Sequence, residues 1–240
     1  MPDPYLYPET NILINKFNIK NAERLVEVEN DLVYIKLFDV DEFLDGCKFN
    51  AATLKALHRH LFEDIYTWAG EFRTINIRKY ERVLPGASVD YYDHTAIKKE
   101  LDAAMKGLEA IAWQKMSLLE RVSAFSRLFA RIWKIHPFRE GNTRTVTTFM
   151  LGYAKQQQIN MDGSLLSKYN AYVRDSLVMA SIGEYSEYDH LEKIILDAMG
   201  GVENTQENMD VSDKQEKYTH INEYDVSEYY YRQFDAETDK

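Results

Sequence analysis

Hydrophobic positions along the first 200 residues recur mostly at helical spacing. Asn21 and Asn50 each precede an amphipathic run and are good N-caps, which predicts helices over about 21–38 and 51–66. The same spacing predicts five more helices, over about 92–112, 117–133, 144–158, 163–180 and 183–199. The run 117–133 is the most apolar, so we expect it to be central and almost fully buried. The pattern therefore predicts an all-α fold of about seven to eight helices.

One stretch departs from helical spacing. Apolar and polar side chains alternate over 74–78, which is the period of a strand, and Pro85-Gly86 predicts a turn. We expect a short two-stranded β-hairpin, or flap, over about 74–87. A hairpin of two strands has open edges, which accept added strands. A binding role for the flap and a plain connecting loop are both open interpretations.

The last forty residues have a different composition. Residues 201–240 contain 11 Asp and Glu against 4 Lys and Arg, a net of −7 out of −10 for the whole chain. We therefore predict one domain over 1–200 and an acidic, tyrosine-rich tail over 201–240. Its first part, 202–215, has the composition of a flexible linker. The aromatic residues of 218–234 predict a docking helix or a contact with a partner.

Charge and composition exclude several classes of function. The net charge of −10 argues against general nucleic-acid binding. The start of the chain lacks the pattern of a secretion signal, and no apolar run approaches the roughly 18 residues of a membrane span. We therefore expect a cytoplasmic location without a membrane partner. The single Cys47 excludes an internal disulfide. His58 and His60 fall on different helix faces, so we expect surface or packed histidines rather than a metal site.

Candidate chemistry is concentrated in His136–Thr145, between two predicted helices. A helix N-terminus offers backbone N–H groups and a positive dipole end that bind phosphate oxygens. Histidine titrates near neutral pH, so His136 could remove a proton from an attacking hydroxyl. Glu140 is a suitable hard oxygen ligand for magnesium bridging phosphates. These residues predict nucleotide-dependent transfer of a phosphorus-containing group.

The sequence His136-Pro-Phe-Arg-Glu-Gly-Asn-Thr-Arg144 resembles the signature of the Fic family, His-Pro-Phe-x-Asp/Glu-Gly-Asn-Gly-Arg-x-x-Arg. The likeness continues in Tyr5-Leu-Tyr-Pro, Asn15-Lys-Phe-Asn-Ile and Trp68-Ala-Gly-Glu-Phe-Arg73, and covers roughly residues 5–198. It implies a Fic-type helical bundle with a β-hairpin flap over the domain 1–200. The reaction it implies moves AMP from ATP onto a Tyr, Thr or Ser hydroxyl of a target protein and releases pyrophosphate.

The resemblance also implies roles for single residues. His136 would be the general base, Glu140 would hold Mg²⁺ against the phosphates, and Phe138 would anchor the loop in the core. Arg139 receives no role and is expected to face solvent or the target. The nucleotide phosphates would contact Gly141, Asn142, Thr143 and Arg144. The flap would hold the target segment by strand addition, through Ile75, Asn76, Ile77, Arg78, Lys79 and Tyr80.

The signature is broken at two positions. Thr143 replaces the usual glycine, and Thr147 replaces the second arginine, which an inhibitory glutamate engages in the family. The lost cation predicts slow but real adenylylation. The inhibitory motif, Ser/Thr-x-x-x-Glu-Gly/Asn, has no full match: Glu29-Asn30 ends one, but Leu25 stands at its start. Internal autoinhibition is therefore not predicted from the sequence.

Several alternatives stay open. The same fold could use another nucleotide or phosphate-containing donor, or be a non-catalytic Fic-like binding module. Phosphotransferase relatives usually carry Lys at the position of Thr143, so a kinase-like activity is not supported. The tail could be a lid or a self-modified segment, with Tyr229–Tyr231 as acceptors. A separate inhibitory protein of the antitoxin type and an oligomeric state are also open.

Overall fold

The computed structural model describes residues 3–84, 87–200 and 218. Within these ranges the regular elements are helices, and the only strand-like pairing is an isolated bridge between Leu6 and Leu13. None of the described helices is long and apolar enough to cross a membrane. The predicted all-α class is confirmed. The helices are α1 (Ala22–Lys36), α2 (Val40–Leu44), α3 (Ala51–Phe62), α4 (Ile97–Glu109), α5 (Leu118–Ile135), α6 (Asn142–Gln156), α7 (Gly163–Lys168), α8 (Asn170–Met179) and α9 (Asp189–Ala198).

The two predicted N-caps are confirmed. The side-chain oxygen of Asn21 accepts from the backbone N–H of Arg24, and that of Asn50 accepts from Thr53. Each bond satisfies one of the donors that the first turn of a helix leaves without an intrahelical acceptor. The starts of α1 and α3 therefore follow from local sequence.

Other helix boundaries differ from the prediction. The helix predicted over 163–180 is two helices, α7 and α8, because Tyr169 between them has ψ of 36°. The helix predicted from residue 92 starts at Ile97, after a 3₁₀ turn in which the Asp93 carboxylate accepts from the backbone N–H of Thr95. The last helix starts at Asp189 rather than 183. The five-residue α2 was not predicted, since it is too short to show a helical period.

The predicted hairpin over 74–87 is not confirmed. The described residues of this stretch carry no strand, and a turn covers Arg82–Leu84. The backbone N–H of Lys79 donates to the Ser88 hydroxyl at 3.1 Å, so a side chain takes the place of a ladder partner. Exposure still alternates along 74–80, which is the pattern that suggested a strand. The period was correct, but it does not ensure a paired neighbour.

The chain divides into two compact units. The first consists of residues 1–76, 92–110 and 135–153. In it, α1 packs on α3 and α3 packs on α4. Its interior is built from fully buried side chains, among them Leu54, Leu57, Leu61, Phe62, Leu101 and Phe149.

The second unit consists of 77–91, 111–134 and the residues from 154 onward. The helices α7, α8 and α9 pack against one another in it. The apolar stripe of α5 is buried as predicted, including Phe125, Phe129, Ile132 and Trp133. Its first turn is an exception, because Leu119 is 69% exposed.

Most of the tail predictions lie outside the described residues. This applies to the linker 202–215, to the docking helix and to Tyr229–Tyr231. Tyr218 is described and is buried. Its hydroxyl donates to the Asp197 carboxylate, and its ring lies 4.9 Å from that of Tyr172. Burial, and next its bond to Asp197, raise the pKa of the Tyr218 hydroxyl.

Candidate active site

The signature residues form a tight loop between α5 and α6. Two of them adopt the left-handed backbone conformation, His136 with φ of 49° and Gly141 with φ of 78°. A Cβ added at Gly141 would lie 2.3 Å from the Phe62 ring, so only glycine fits there. The chain thus leaves α5 at His136 and enters α6 after Gly141 without room for a larger residue.

Asn142 closes this loop. Its side-chain oxygen accepts from the N–H of Phe138 at 2.9 Å, and its amide nitrogen donates to the Phe138 carbonyl at 2.8 Å. Thr145 adds two bonds to the Gly141 carbonyl, from its N–H and from its hydroxyl. The Asn142 side chain is therefore committed to the loop, and what it offers to an anion is its backbone N–H.

The aromatic side chain of Phe138 is fully buried. It stacks on the His58 imidazole with centroids 3.8 Å apart and lies 5.9 Å from the ring of Phe72. Phe138 therefore packs inside the protein against α3, and its role as anchor of the loop stays a prediction. The stacking also brings His58, on α3, into the site.

His58 holds the loop at a second point. Its Nδ1 accepts from the Gly70 N–H at 2.8 Å, so its Nε2 carries the proton and donates to the Glu140 carbonyl at 3.0 Å. Burial lowers the pKa of His58 to about 3, so the ring stays neutral at physiological pH. His58 was expected to be a packed or surface histidine. It is packed, and it also positions the main chain of Glu140.

The predicted base and metal ligand stand at the two ends of the loop. His136 is buried, with 1% of its surface exposed. Its carbonyl accepts from the Arg73 guanidinium at 2.8 Å. Glu140 is half-buried, and one of its carboxylate oxygens accepts from the Gly141 N–H at 2.9 Å. Across the part of the chain that the structure describes, no three histidine, cysteine or acidic side chains cluster as a metal site.

Three of the predicted phosphate-binding residues, Asn142, Thr143 and Arg144, lie in the first turn of α6, and Gly141 directly precedes it. Thr143 and Arg144 are half-buried there, and the N–H groups of this turn point out of the helix end. Thr147, at the position of the second arginine, follows one turn later and is half-buried. The helix begins at Asn142, two residues earlier than predicted. Because of this early start, Asn142 and Thr143 belong to the N-terminus of the helix.

Arg144 is engaged by a residue of α1. Its guanidinium forms an ion pair with Glu29, reaches the Asn30 side chain at 3.4 Å, and lies 5.0 Å from the centre of the Phe62 ring. The other carboxylate oxygen of Glu29 accepts from the Tyr66 hydroxyl. Burial, and next the Glu29 charge, raise the pKa of that hydroxyl. Glu29-Asn30 was not accepted as the end of an inhibitory motif, because Leu25 stands where the motif has Ser or Thr. Glu29 nevertheless pairs with Arg144, a residue of the Fic signature.

The position of the Arg139 side chain differs from the one expected from the sequence. It was expected to face solvent or a target, but its side chain is only 16% exposed and pairs with Asp3. The Arg139 Nε donates to the Asp3 carboxylate at 2.9 Å. The N-terminal residues reach the loop, and their position could not be deduced from local sequence.

The six residues predicted to hold a target fall into both units. Ile75 and Asn76 belong to the first, with the loop. Asn76 bonds to Asp93 and to the N–H of His94, at 2.7 and 2.8 Å. The second unit contains the other four, Ile77, Arg78, Lys79 and Tyr80. Arg78 and Tyr80 are exposed, Tyr80 by 87%.

Residues 77–91, hereafter segment 77–91, are tied to α8 by charged side chains. Glu81 accepts three bonds from the Arg174 guanidinium, at 3.2, 3.0 and 2.9 Å, and one from the Tyr91 hydroxyl at 3.0 Å. Next to it, Arg82 pairs with Asp175, which follows Arg174 on α8. Two neighbouring ion pairs therefore hold the segment at Glu81 and Arg82. The segment supplies the carboxylate in the first pair and the guanidinium in the second.

Comparison with known proteins places this geometry among relatives. Residues 48–154 match the model of the Fic/DOC family. The chain is 33% identical over 166 residues to the "Probable protein adenylyltransferase y4lH" of Sinorhizobium fredii, covering 68% of this chain and 81% of that one. It is 28% identical over 186 residues to the "Protein adenylyltransferase VbhT" of Bartonella schoenbuchensis, covering 76% of this chain. The match spans only 36% of the length of VbhT.

Solved structures share the fold. The N-terminal FIC domain of Bep8 from Bartonella sp. 1-1C superposes with a TM-score of 0.69 at 22% identity, covering 81% of this chain and 94% of that one. BepC from Bartonella tribocorum, solved with bound AMPPNP, superposes with a TM-score of 0.67 at 24% identity, covering 81% and 95%. The helical arrangement found here is therefore the one that these domains adopt.

Proposed function

The chain belongs to the Fic/DOC family, and on that premise we propose that it transfers AMP from ATP to a Tyr, Thr or Ser hydroxyl of a target protein. The observation that carries the proposal is the closed loop His136–Arg144, with a buried histidine at one end and a helix N-terminus at the other. Relatives named protein adenylyltransferase support the same reaction class.

His136 acts as the general base in this proposal. It accepts the proton of the target hydroxyl while the hydroxyl oxygen forms a bond to the α-phosphorus of ATP. The bond from that phosphorus to the pyrophosphate breaks, and the pyrophosphate leaves with the electron pair. The fixed backbone of the loop supports this role, because a base must be held within hydrogen-bond reach of the proton it removes.

Glu140 fits a magnesium ion shared with phosphates. Magnesium is usually held by one or two carboxylates, with waters and substrate phosphates completing its octahedron. The Glu140 carboxylate accepts from the Gly141 N–H, and a carboxylate has two acceptor oxygens that a metal could share. When bound, magnesium would neutralise charge on the phosphates and on the departing pyrophosphate.

The first turn of α6 would bind the phosphates. Asn142 and Thr143 would contribute main-chain N–H groups, and Thr143 would add a hydroxyl. The N–H of Gly141, just before the helix, would join them only after it leaves the Glu140 carboxylate. Arg144 would supply the positive charge, and its present partner is Glu29. The proposal therefore includes competition at Arg144, because the guanidinium pairs with a phosphate only after it leaves the carboxylate.

The exposed side of residues 74–80 is the proposed site for the target. Asn76, Arg78 and Tyr80 lie on it, and Ile75, Ile77 and Lys79 alternate with them on the less exposed side. An extended target peptide could add along such a chain through main-chain hydrogen bonds. The alternation supports this mode, although the paired hairpin that was predicted is not confirmed.

The identity of the donor, ATP in this proposal, has one specific alternative. Thr143 restricts a position that usually holds glycine, and Thr147 removes a cation from the phosphate site. We expect adenylylation to be slow but real. A different nucleotide or phosphate-containing donor is the second candidate, and the altered phosphate-binding half of the signature favours it.

The experiment is transfer of label from α-labelled ATP to proteins of a lysate, with magnesium present. Wild-type protein should label at least one protein, and the His136→Ala variant should label none. Label from γ-labelled ATP, with none from α-labelled ATP, would support a phosphoryl donor instead. No transfer from any labelled nucleotide would leave the non-catalytic binding module as the better account.

A further inference from the structure

Arg73 lies at the end of the stretch Trp68–Arg73 and is almost fully buried, with 2% of its surface exposed. Its guanidinium donates to three main-chain carbonyls. Nε donates to His136 at 2.8 Å, one terminal nitrogen donates to Ile75 at 2.7 Å, and the other donates to Tyr92. The backbone N–H of Arg73 also donates to a carbonyl, that of Pro137, at 2.8 Å.

Two of these bonds act on an unusual backbone conformation. His136 has φ of 49°, in the left-handed region, which is strained for a residue with a Cβ. Arg73 binds the carbonyl of that residue and of the next one, Pro137. The bond from the guanidinium is charge-assisted and therefore stronger than one between neutral groups. Because the rotamers open to a side chain depend on its backbone angles, Arg73 also restricts the His136 imidazole.

The other two bonds act on residues of the first unit that flank segment 77–91 in the chain. Ile75 lies two residues before the segment and Tyr92 directly after it. One guanidinium thus joins these two stretches of the first unit. Lysine could not replace it, because its single nitrogen lacks the planar fork of donors. Asn76 also bonds to Asp93 across the same two stretches, so loss of Arg73 should loosen them without separating them.

We propose that Arg73 is a positioning residue for AMP transfer: it fixes the main chain of His136 and, through the same guanidinium, that of Ile75 and Tyr92. The inference rests on the proposed function, because it requires His136 to act as the base. Arg73 acts through His136 rather than on the reacting atoms. Its removal should therefore lower the rate of the chemical step and leave nucleotide binding nearly unchanged.

The test compares wild type with Arg73→Lys and Arg73→Gln. The matched control is Arg121→Lys, since Arg121 also donates from Nε to a main-chain carbonyl, that of Trp113 at 3.0 Å, but in the second unit. We expect kcat for AMP transfer to fall on the order of 10²-fold in both Arg73 variants. KM for ATP should stay within about threefold, and the control should match wild type.

Amide hydrogen exchange, measured without nucleotide, gives a readout independent of activity. In the Arg73 variants, exchange should rise together in peptides covering 136–142 and 74–76, while peptides from α9 keep their wild-type rates. Exchange that rises in only one of the two stretches, or across the whole chain, overturns the proposal. So does a kcat within about threefold of wild type, or failure of both variants to fold. If wild type transfers no AMP, the proposed function fails, but the exchange data still decide whether Arg73 joins the two stretches.

Discussion

The loop between α5 and α6 is held by buried side chains that bond to main-chain groups. Segment 77–91 is held instead by charged side chains that pair with charged side chains of α8. The loop is held by Asn142, His58 and Arg73, each of which satisfies a backbone carbonyl or N–H. The segment is held by Glu81 and Arg82, each paired with a charge on α8.

The difference has physical consequences. A buried backbone group that loses its partner costs about 1–3 kcal/mol, because water cannot replace the bond. A partly exposed ion pair contributes about 0–1 kcal/mol and is screened by salt. Removing a support of the loop should therefore have a large effect that salt does not change. Removing Arg82, the exposed support of the segment, should have a small effect that salt abolishes. Glu81 is buried, so its removal should resemble the loss of a loop support.

The largest effect is expected from Asn142→Ala. The change leaves the N–H and the carbonyl of Phe138 without partners in a buried site, so the free energy of unfolding should fall by about 2–4 kcal/mol. AMP transfer should fall by more than about 10²-fold, because the loop no longer holds its geometry. Denaturant unfolding at low and high salt checks the first part, and Asn142→Asp, which keeps the acceptor, should lie between alanine and wild type. A loss below about 1 kcal/mol would contradict the buried-bond account of the loop.

His58 gives the loop a pH dependence. Its pKa is about 3 in the folded protein, below the ordinary value near 6.5, so the unfolded chain binds more protons between these values. Stability is therefore lost as pH falls below 6.5, and His58 should contribute a slope of about 1.4 kcal/mol per pH unit in the free energy of unfolding. The measurement is denaturant unfolding from pH 4 to 7 in EDTA, for wild type and for His58→Gln. Equal slopes in the two proteins would show that His58 is not held neutral.

A smaller effect, on nucleotide affinity, is expected from breaking the ion pair between Glu29 and Arg144. Glu29→Gln keeps an acceptor for Tyr66 but releases the guanidinium, so magnesium-ATP should bind about tenfold tighter. Calorimetric titration measures this directly. The matched control is Glu27→Gln on the same helix, whose carboxylate pairs with the exposed Arg24. Unchanged affinity in Glu29→Gln would mean that Glu29 does not compete with phosphate.

The smallest effect is expected in segment 77–91. Arg82 is 58% exposed at its side chain, so Arg82→Gln should lower the free energy of unfolding by less than about 1 kcal/mol. The difference from wild type should disappear in about 1 M salt. A larger loss that persists in salt would remove the distinction between the two regions.

Sequence predicted what depends on near neighbours. The caps at Asn21 and Asn50 act on residues three positions ahead, and Asn142 closes the loop on Phe138 four positions back. The two caps were predicted correctly from residue type and spacing alone. The bond between Asn142 and Phe138 is equally local but was not predicted, because the resemblance assigned Asn142 to the phosphates.

Contacts between distant stretches could not be predicted. Arg73 reaches a residue 63 positions away, His58 one 82 positions away, and Glu29 pairs with a residue 115 positions away. Each of these looked ordinary in the sequence because its partner is set by the packing of whole helices. The flap shows the same limit, since its alternating side chains were correct but strand pairing depends on groups elsewhere.

The central claim is that His136 acts as the general base in the transfer of AMP to a hydroxyl side chain. Tandem mass spectrometry of a labelled target, after incubation with ATP and magnesium, tests it most directly. The account predicts AMP on a Tyr, Thr or Ser of the target with wild-type protein and none with the His136→Ala variant. Equal modification by both proteins, or phosphate in place of AMP on the target, would contradict it.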